Sequence, residues 1–400
     1  MNLDGHDEPW RRVARAAGLL GPHDDRGAPS PTIFAEMSAL AARTGAINLG
    51  QGFPDTDGPA SLLADAAAAI AGGANQYPPG RGVPELRAAV AAHRTRYGFD
   101  LDPDTEVLVT AGATEALTAS ILALCGPGDE VLLLEPYYDS YVAAVALAGA
   151  TPVPVPLQWP SFTVDEAALA AAVTPRARLL VLNSPHNPTG RVLSVAELDA
   201  VARLAVAHDL LVLSDEVYEH LTYDAPHVPI ATRPGMAERT ISVSSAGKTF
   251  SVTGWKIGWL HARADLVDAV LAVKQYLTYV NGSPFQPAVA RALTLEDWFV
   301  SAADSLRAGR DLLVGGLSAA GFEVSVPEGG YFVIADAAGL GFADGRALCA
   351  QLPTLCGVVG VPFQAFLRPG AAASSLVRFA FCKRPEVIAE ASARLARLAG

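Results

Sequence analysis

Residues 244–259 read S-S-A-G-K-T-F-S-V-T-G-W-K-I-G-W. They follow the apolar run Thr240-Ile241-Ser242-Val243, which predicts a buried strand ending in a small-residue loop. Small side chains crowd around Lys248, and Phe250, Trp255 and Trp259 follow it, so the lysine is expected to be sheltered from water. A sheltered ε-amine has a depressed pKa and can attack an aldehyde. Ser245 lies three residues before Lys248 and Lys256 eight residues after it. A hydroxyl and a second cation beside such a lysine suggest an aldehyde cofactor with a phosphate tail, and pyridoxal phosphate fits that description. The competing reading is a glycine-rich surface turn carrying two solvated lysines, since isolated motif matches produce false positives.

Upstream of this stretch, apolar runs at 106–110, 131–134, 151–155, 178–182, 210–213 and 240–243 predict strands, with helical patterns between them at 115–124, 141–147 and 194–208. Ser194 and Glu197 stand at capping-box spacing. Near-continuous apolar strands alternating with helices predict an α/β fold with a mostly parallel sheet buried on both faces. In such sheets ligands sit outside the carboxyl ends of the strands, and most of the polar clusters of this chain fall there. After about residue 290 the alternation fades into a long helix at 295–317, short strands at 322–326, 331–335 and 375–381, and a final helix at 386–399, which predicts a smaller α+β unit. The expected division is an N-terminal arm at 1–28, a small domain from 29–50 and 291–400, and a large cofactor-binding domain at 51–290. The arm carries a short amphipathic stretch, expected either to pack on another subunit or to extend as a frayed segment.

Composition narrows the function classes. The 400 residues are 51% hydrophobic and 18% charged, enough for sizeable cores. A formal charge of −12 argues against nucleic acid as a partner. No apolar run reaches the roughly 18 residues needed to span a bilayer, and the charged first residues lack the apolar segment of a signal peptide. A cytoplasmic protein is expected. Cys125, Cys349, Cys356 and Cys382 form no C-x-x-C pair, and the eight histidines form no H-E-x-x-H pattern, so no metal site is expected.

The clusters at the predicted strand ends can be assigned roles around a pyridinium cofactor. Its ring nitrogen needs a carboxylate, and Asp215 follows the run L-L-V-L-S directly; a helix N-cap is the plainer reading. Asn187 and Tyr218 can serve the phenolic oxygen, although a turn asparagine and a packed tyrosine would look the same. Gly112-Ala113-Thr114 can offer helix N-terminal N–H groups to a phosphate, assisted by Ser245 and Lys256. Tyr138 can stack on the ring. Arg378 lies inside the apolar strand S-L-V-R-F-A-F-C-K and is hard to explain unless it pairs with an acid, either a structural one or a substrate α-carboxylate. Gly50 and Gly52 are expected to let the backbone approach a ligand or another chain closely.

In order along the chain, G-A-T-E-A-L, E-P-Y-Y-D-S-Y, N-S-P-H-N-P-T-G, S-D-E-V-Y, the Lys248 stretch and L-V-R-F-A-F-C-K together resemble a class I/II aminotransferase of pyridoxal-phosphate fold type I. The subgroup it resembles holds kynurenine, glutamine and methionine aminotransferases. F-A-E-M-S-A-L, N-L-G-Q-G-F-P-D, N-Q-Y-P-P-G and Y-V-N-G-S-P-F-Q-P-A-V-A bring it nearest to actinobacterial N-succinyldiaminopimelate aminotransferases. The resemblance implies a large domain with a mostly parallel seven-stranded sheet plus a smaller α+β domain, and pyridoxal 5′-phosphate as cofactor. It implies that Lys248 bonds to the cofactor aldehyde and shuttles the proton between Cα and C4′. Asp215 would pair with the ring nitrogen, Asn187 and Tyr218 with the phenolic oxygen, and Tyr138 would stack. Ala113, Thr114, Ser245 and Lys256 would hold the phosphate, while Arg378, Asn187 and the Gly52 backbone would hold the substrate. It further implies a homodimer with shared active sites, to which Tyr77 and Tyr279 come from the partner chain. Val280 stands where some relatives carry a histidine, and 366–375 is shorter than in the succinyldiaminopimelate enzymes, so the distal specificity stays open.

The expected activity moves an amino group between an L-amino acid and a 2-oxo acid, with N-succinyl-LL-2,6-diaminopimelate and 2-oxoglutarate as candidates. A broad-specificity methionine, glutamine or kynurenine aminotransferase and a cysteine-S-conjugate β-lyase are the alternatives. A non-catalytic transcriptional sensor would need a basic DNA-binding segment that the short arm lacks.

Overall fold

The structure is a computed structural model, and it describes residues 9–20, 29–372 and 374–399. Seven strands build the main sheet: β1 Val107–Ala111, β2 Glu130–Glu135, β3 Thr151–Pro156, β4 Ala177–Asn183, β5 Leu211–Asp215, β6 Thr240–Ser245 and β7 Ile257–His261. Their order is β1-β7-β6-β5-β4-β2-β3. All neighbours run parallel except at β7, which is antiparallel to both β1 and β6. The six expected strands are present within a residue or two, and the seventh, β7, is the reversed one.

Alternation explains why both faces are apolar. In β2, Val131 and Leu133 join the core on one face with Leu117 and Val145, whereas Leu132 and Leu134 join the other with Leu198 and Val201. The pleat sends successive side chains to opposite sides. A sheet covered by helices on both sides therefore needs an apolar residue at nearly every position.

The expected smaller unit contains an antiparallel sheet ordered Val361–Pro362, Leu376–Ala380, Phe332–Asp336, Glu323–Ser325. The Glu296–Ala319 and Pro385–Leu395 helices cover it through Leu313, Leu317 and Ile388. Ile47–Asn48 pairs in parallel with Val358–Val359, so the segment near residue 47 joins this unit. A boundary between residues 290 and 291 would cut the Phe285–Ala292 helix, whose Ala288, Val289 and Ala292 are buried in one core with Leu62 and Leu86. The sequence carried too few turn signals there to reveal that helix.

Caps behave as their chemistry requires. Thr32 accepts from Ala35 N at the start of Ile33–Thr44, and Ser194 with Glu197 forms a full capping box. Of the arm, residues 1–8 and 21–28 lie outside the described residues. The Pro9–Ala16 helix packs on the Asp139–Ala148 helix of its own chain, with Arg12 Nε donating to Ala146 O at 2.9 Å. Among the described residues no helix is long and apolar enough to cross a membrane.

Candidate active site

The carboxyl ends of β4, β5 and β6 open into a cleft of about 320 Å³, walled on its other sides by the start of the Gly112–Leu124 helix, Gly52 and Arg378. That volume lies in the range of small-molecule sites. Eleven of the expected residues line it: Gly52, Ala113, Thr114, Tyr138, Asn187, Asp215, Tyr218, Ser245, Lys248, Lys256 and Arg378. Tyr77 and Tyr279 do not. They are 82% and 40% exposed and pack edge-on against each other with ring centroids 5.7 Å apart.

Lys248 sits in the Ala246–Thr249 turn of helix that follows β6. Its Nζ donates to Tyr331 Oη at 2.9 Å and to Gly52 O at 3.3 Å. Burial pulls its pKa down to about 8, against the pull of Asp215, so a neutral amine is accessible at mild pH. Tyr331 Oη in turn donates to Gly52 O at 2.7 Å. Gly52 admits no side chain, because a Cβ there would meet Phe332 Cζ at 2.5 Å.

Asp215 ends β5, where burial pushes its pKa up to about 6. Its Oδ2 accepts from Tyr141 Oη at 2.6 Å and its Oδ1 from Val217 N at 3.4 Å. Among the described residues no cation lies within ion-pairing distance of it. Arg378 is 2% exposed and equally without a carboxylate. Its Nη1 donates to Asn187 Oδ1 at 3.1 Å and its Nη2 to Gly50 O at 2.8 Å, while Nε has no partner. The guanidinium stacks 3.9 Å from the Phe332 ring centroid and 4.6 Å from that of Phe366. Burial lowers its pKa to about 10. Hydrogen bonds run from Arg378 through Asn187 and Asn183 to the Asp215 main chain: Asn187 N donates to Asn183 Oδ1 at 2.7 Å, and Asn183 Nδ2 to the Asp215 carbonyl at 2.8 Å.

The third corner is an anion cradle. Gly112 opens its helix with φ of +74°, and a Cβ on it would lie 3.3 Å from Lys256 Nζ. Lys256 itself adopts φ of +55°, and Asn281 Nδ2 donates to its carbonyl at 2.7 Å. A Cβ on Gly258 would fall 2.5 Å from Gly112 C and 2.7 Å from Ala113 N, so β7 runs directly beneath the cradle. Helix N–H groups, the Ser245 hydroxyl and an ammonium together suit a phosphate. Tyr138 shares a hydrogen bond with Thr114 at its edge.

Sequence reasoning missed Tyr141, Tyr331, Asn183 and Gly258. Tyr141 was legible as the last residue of E-P-Y-Y-D-S-Y, three places after Tyr138, but helical periodicity claimed it as packing. Tyr331 follows the turn Gly329-Gly330 in the smaller unit, and nothing local ties it to Lys248.

The family profile of aminotransferase class I and II matches residues 44–395. A probable N-succinyldiaminopimelate aminotransferase of Mycobacterium tuberculosis is 56% identical over 381 residues, covering 92% of this chain and 96% of that protein. The solved structure of the M. tuberculosis N-succinyldiaminopimelate aminotransferase superposes with a TM-score of 0.90 over 92% of this chain and 97% of its own. The methionine aminotransferase of Escherichia coli is 41% identical over 370 residues, covering 92% of this chain and 96% of that protein. The fold is accordingly that of the fold type I aminotransferases, and this chain belongs to the class I and II aminotransferase family.

Proposed function

We propose that this enzyme is a pyridoxal 5′-phosphate-dependent aminotransferase acting on N-succinyl-LL-2,6-diaminopimelate with 2-oxoglutarate. The observation that carries the cofactor and the amino-acid chemistry is the pair of buried, unneutralised charges in one cleft, Asp215 and Arg378, with a depressed lysine beside them. When bound, the cofactor supplies an aldehyde for amine exchange and a protonated ring that withdraws electrons from the substrate Cα.

The residues fit that group. Asp215 accepts the ring N–H, and Tyr141 holds the carboxylate in place. Because Asn187 Oδ1 is engaged by Arg378, its Nδ2 is left to donate to the phenolic oxygen. Burial keeps Tyr218 protonated, so it too donates. Gly112 to Thr114, Ser245 and Lys256 take the phosphate, and Tyr138 stacks on the ring. Arg378 binds the substrate α-carboxylate bidentately through the capacity its own chain leaves unused. Lys248, as a neutral amine, would take the proton from the substrate Cα and carry it within the cleft. Tyr331 and the Gly52 carbonyl hold Nζ in position for that transfer.

We further propose a homodimer in which the exposed pair Tyr77 and Tyr279 reaches the partner's cleft; sedimentation would measure the mass. The four buried, unpaired thiols support a reducing compartment. The succinylated substrate rests on the 56% identity, whereas the methionine aminotransferase at 41% supports the broad-specificity reading. A single-turnover absorbance assay separates them. The holoenzyme is mixed in turn with glutamate, N-succinyldiaminopimelate, methionine, glutamine, kynurenine and a cysteine S-conjugate. Rapid conversion by glutamate and the succinylated substrate supports the proposal. Conversion by methionine, glutamine or kynurenine alone points to the broad branch, and pyruvate release without conversion marks a lyase.

A further inference from the structure

Behind the strand end that carries Asp215, the fold gathers polar groups that the chemistry above does not use. Glu219 and His220 lie in the turn that follows β5, and His93 is the penultimate residue of the Pro84–Arg94 helix. One nitrogen from each histidine and one Glu219 oxygen lie within 4.8 Å of one another. His93 Nε2 and His220 Nε2 are 3.0 Å apart. We propose that His93, Glu219 and His220 form a binding site for a divalent transition metal of the zinc class, pinning the β5 turn to the Pro84–Arg94 helix.

The donor set is the first argument. Two imidazoles and one carboxylate, with a fourth position left to water, match the nitrogen and oxygen preferences of zinc. Two nitrogens around a tetrahedral ion at about 2.0–2.1 Å stand about 3.3 Å apart. The two Nε2 atoms therefore need to open by only a few tenths of an ångström.

Orientation is the second. His93 Nδ1 lies 3.3 Å from Leu293 O, and a carbonyl only accepts, so Nδ1 carries the hydrogen and the Nε2 lone pair accepts from His220 Nε2 at 3.0 Å; a bound ion would take the place of that shared hydrogen, with His220 keeping its proton on Nδ1. A backbone carbonyl on the far nitrogen is the usual outer partner of a metal-bound histidine. His220 stacks on Phe299 at 4.1 Å and 10°, which fixes its ring plane.

The unmet valence is the third. The Glu219 side chain is fully buried; Oε2 accepts from Arg94 Nη1, but Oε1 is buried with no partner. Such an atom calls for a water or an ion. Arg94 also pairs with Glu216 through Nη2 at 2.7 Å. The three ligands come from segments 126 and 127 residues apart (219 − 93 and 220 − 93), which is why no histidine spacing revealed them.

The test uses the holoenzyme, stripped with a chelator, dialysed against Zn²⁺ and analysed for metal. One equivalent per chain is expected. His93→Gln and His220→Gln each should weaken it by at least about tenfold, the lower end of what losing an outer partner alone costs. Exposed His208 provides the control, and His208→Gln should bind as wild type. Because a variant could fail to fold, Co²⁺ is added to the unmutated holoenzyme, where visible d–d bands of a four-coordinate site are expected, together with a higher Tm in Zn²⁺. No metal uptake at micromolar Zn²⁺, or uptake that persists in folded His93→Gln and His220→Gln variants, overturns the proposal. Failure would leave the amino-transfer reading untouched, since none of the three residues lines the cleft.

Discussion

Gly258→Ala tests whether the anion cradle is built by backbone contact. Gly258 pairs with Thr110 on one side and Ser245 on the other, so it lies between the two strands that deliver the cradle. A Cβ there would sit 2.5 Å from Gly112 C and 2.7 Å from Ala113 N, both main-chain atoms that no rotamer change can clear. An ordinary contact requires the helix start and β7 to separate by roughly 1 Å or more, which tilts the N–H groups of Gly112 to Thr114 off the phosphate. Overpacking of this kind costs about 1–3 kcal/mol. If the strain is relieved at the cradle, cofactor affinity falls by about 5- to 150-fold at 1.4 kcal/mol per tenfold. Apoenzyme is titrated with pyridoxal phosphate by absorbance well below its Tm. Gly254→Ala is the control, since a Cβ there meets nothing within 4 Å. Unchanged affinity and unchanged Tm in Gly258→Ala would refute the steric reasoning.

Lys248→Ala should remove at least about 10⁴-fold of turnover, because nucleophile and proton carrier are one group, while circular dichroism stays native; normal turnover at saturating cofactor would overturn the mechanism. Arg378→Ala should raise KM for amino acids by about 10²-fold or more, from two charge-assisted bonds of about 1.5–3 kcal/mol each, with less effect on kcat. An unchanged KM would remove Arg378 from the carboxylate role. Tyr141→Phe deletes the hydroxyl that holds Asp215 down, so its pKa rises further above about 6 and apoenzyme affinity for cofactor should weaken most below pH 7; titrations at pH 6 and pH 8 check the difference. Burial raises Asp215 to about 6 and lowers Lys248 to about 8, so their charged forms oppose folding most between those values. The gain in Tm on adding cofactor should therefore be largest from about pH 6 to 8, and a gain independent of pH would count against it.

Legibility followed the range of the physics involved. The six parallel strands were readable because burial on both faces forces unbroken apolar runs. The antiparallel β7 was not, because I-G-W-L-H is interrupted by Gly258 and overlaps the Lys248 stretch. The helices at Pro84–Arg94, Ala264–Lys274 and Gly345–Leu355 were missed in alanine-rich surroundings where every window looks helical. Site residues next to a strand end, such as Asp215 and Asn187, were visible because sheet topology fixes where strand ends point. Tyr331 and Phe332 were not, because they reach the cleft only when the smaller unit docks. Arg378 was visible for the opposite reason: an arginine in an apolar strand violates the local pattern, and violations of that kind mark function.

The charges of the cleft share one physical condition. Asp215, Lys248 and Arg378 are each displaced toward neutrality, up to about 6 and down to about 8 and 10, with burial as the largest cause in all three. Three structural ion pairs would show the reverse, as Arg94 does with Glu216 and Glu219 elsewhere in the same domain. The fold therefore could have neutralised buried charge internally and did so at Glu216, the residue after Asp215, yet among the described residues left these three groups without an ion-pair partner. Each lacks a different complement: Asp215 a cation, Lys248 an electrophilic carbon, Arg378 a carboxylate. A protonated pyridine aldehyde and an amino acid provide those three together, so the free energy held in desolvated charge becomes affinity and orientation when both are bound.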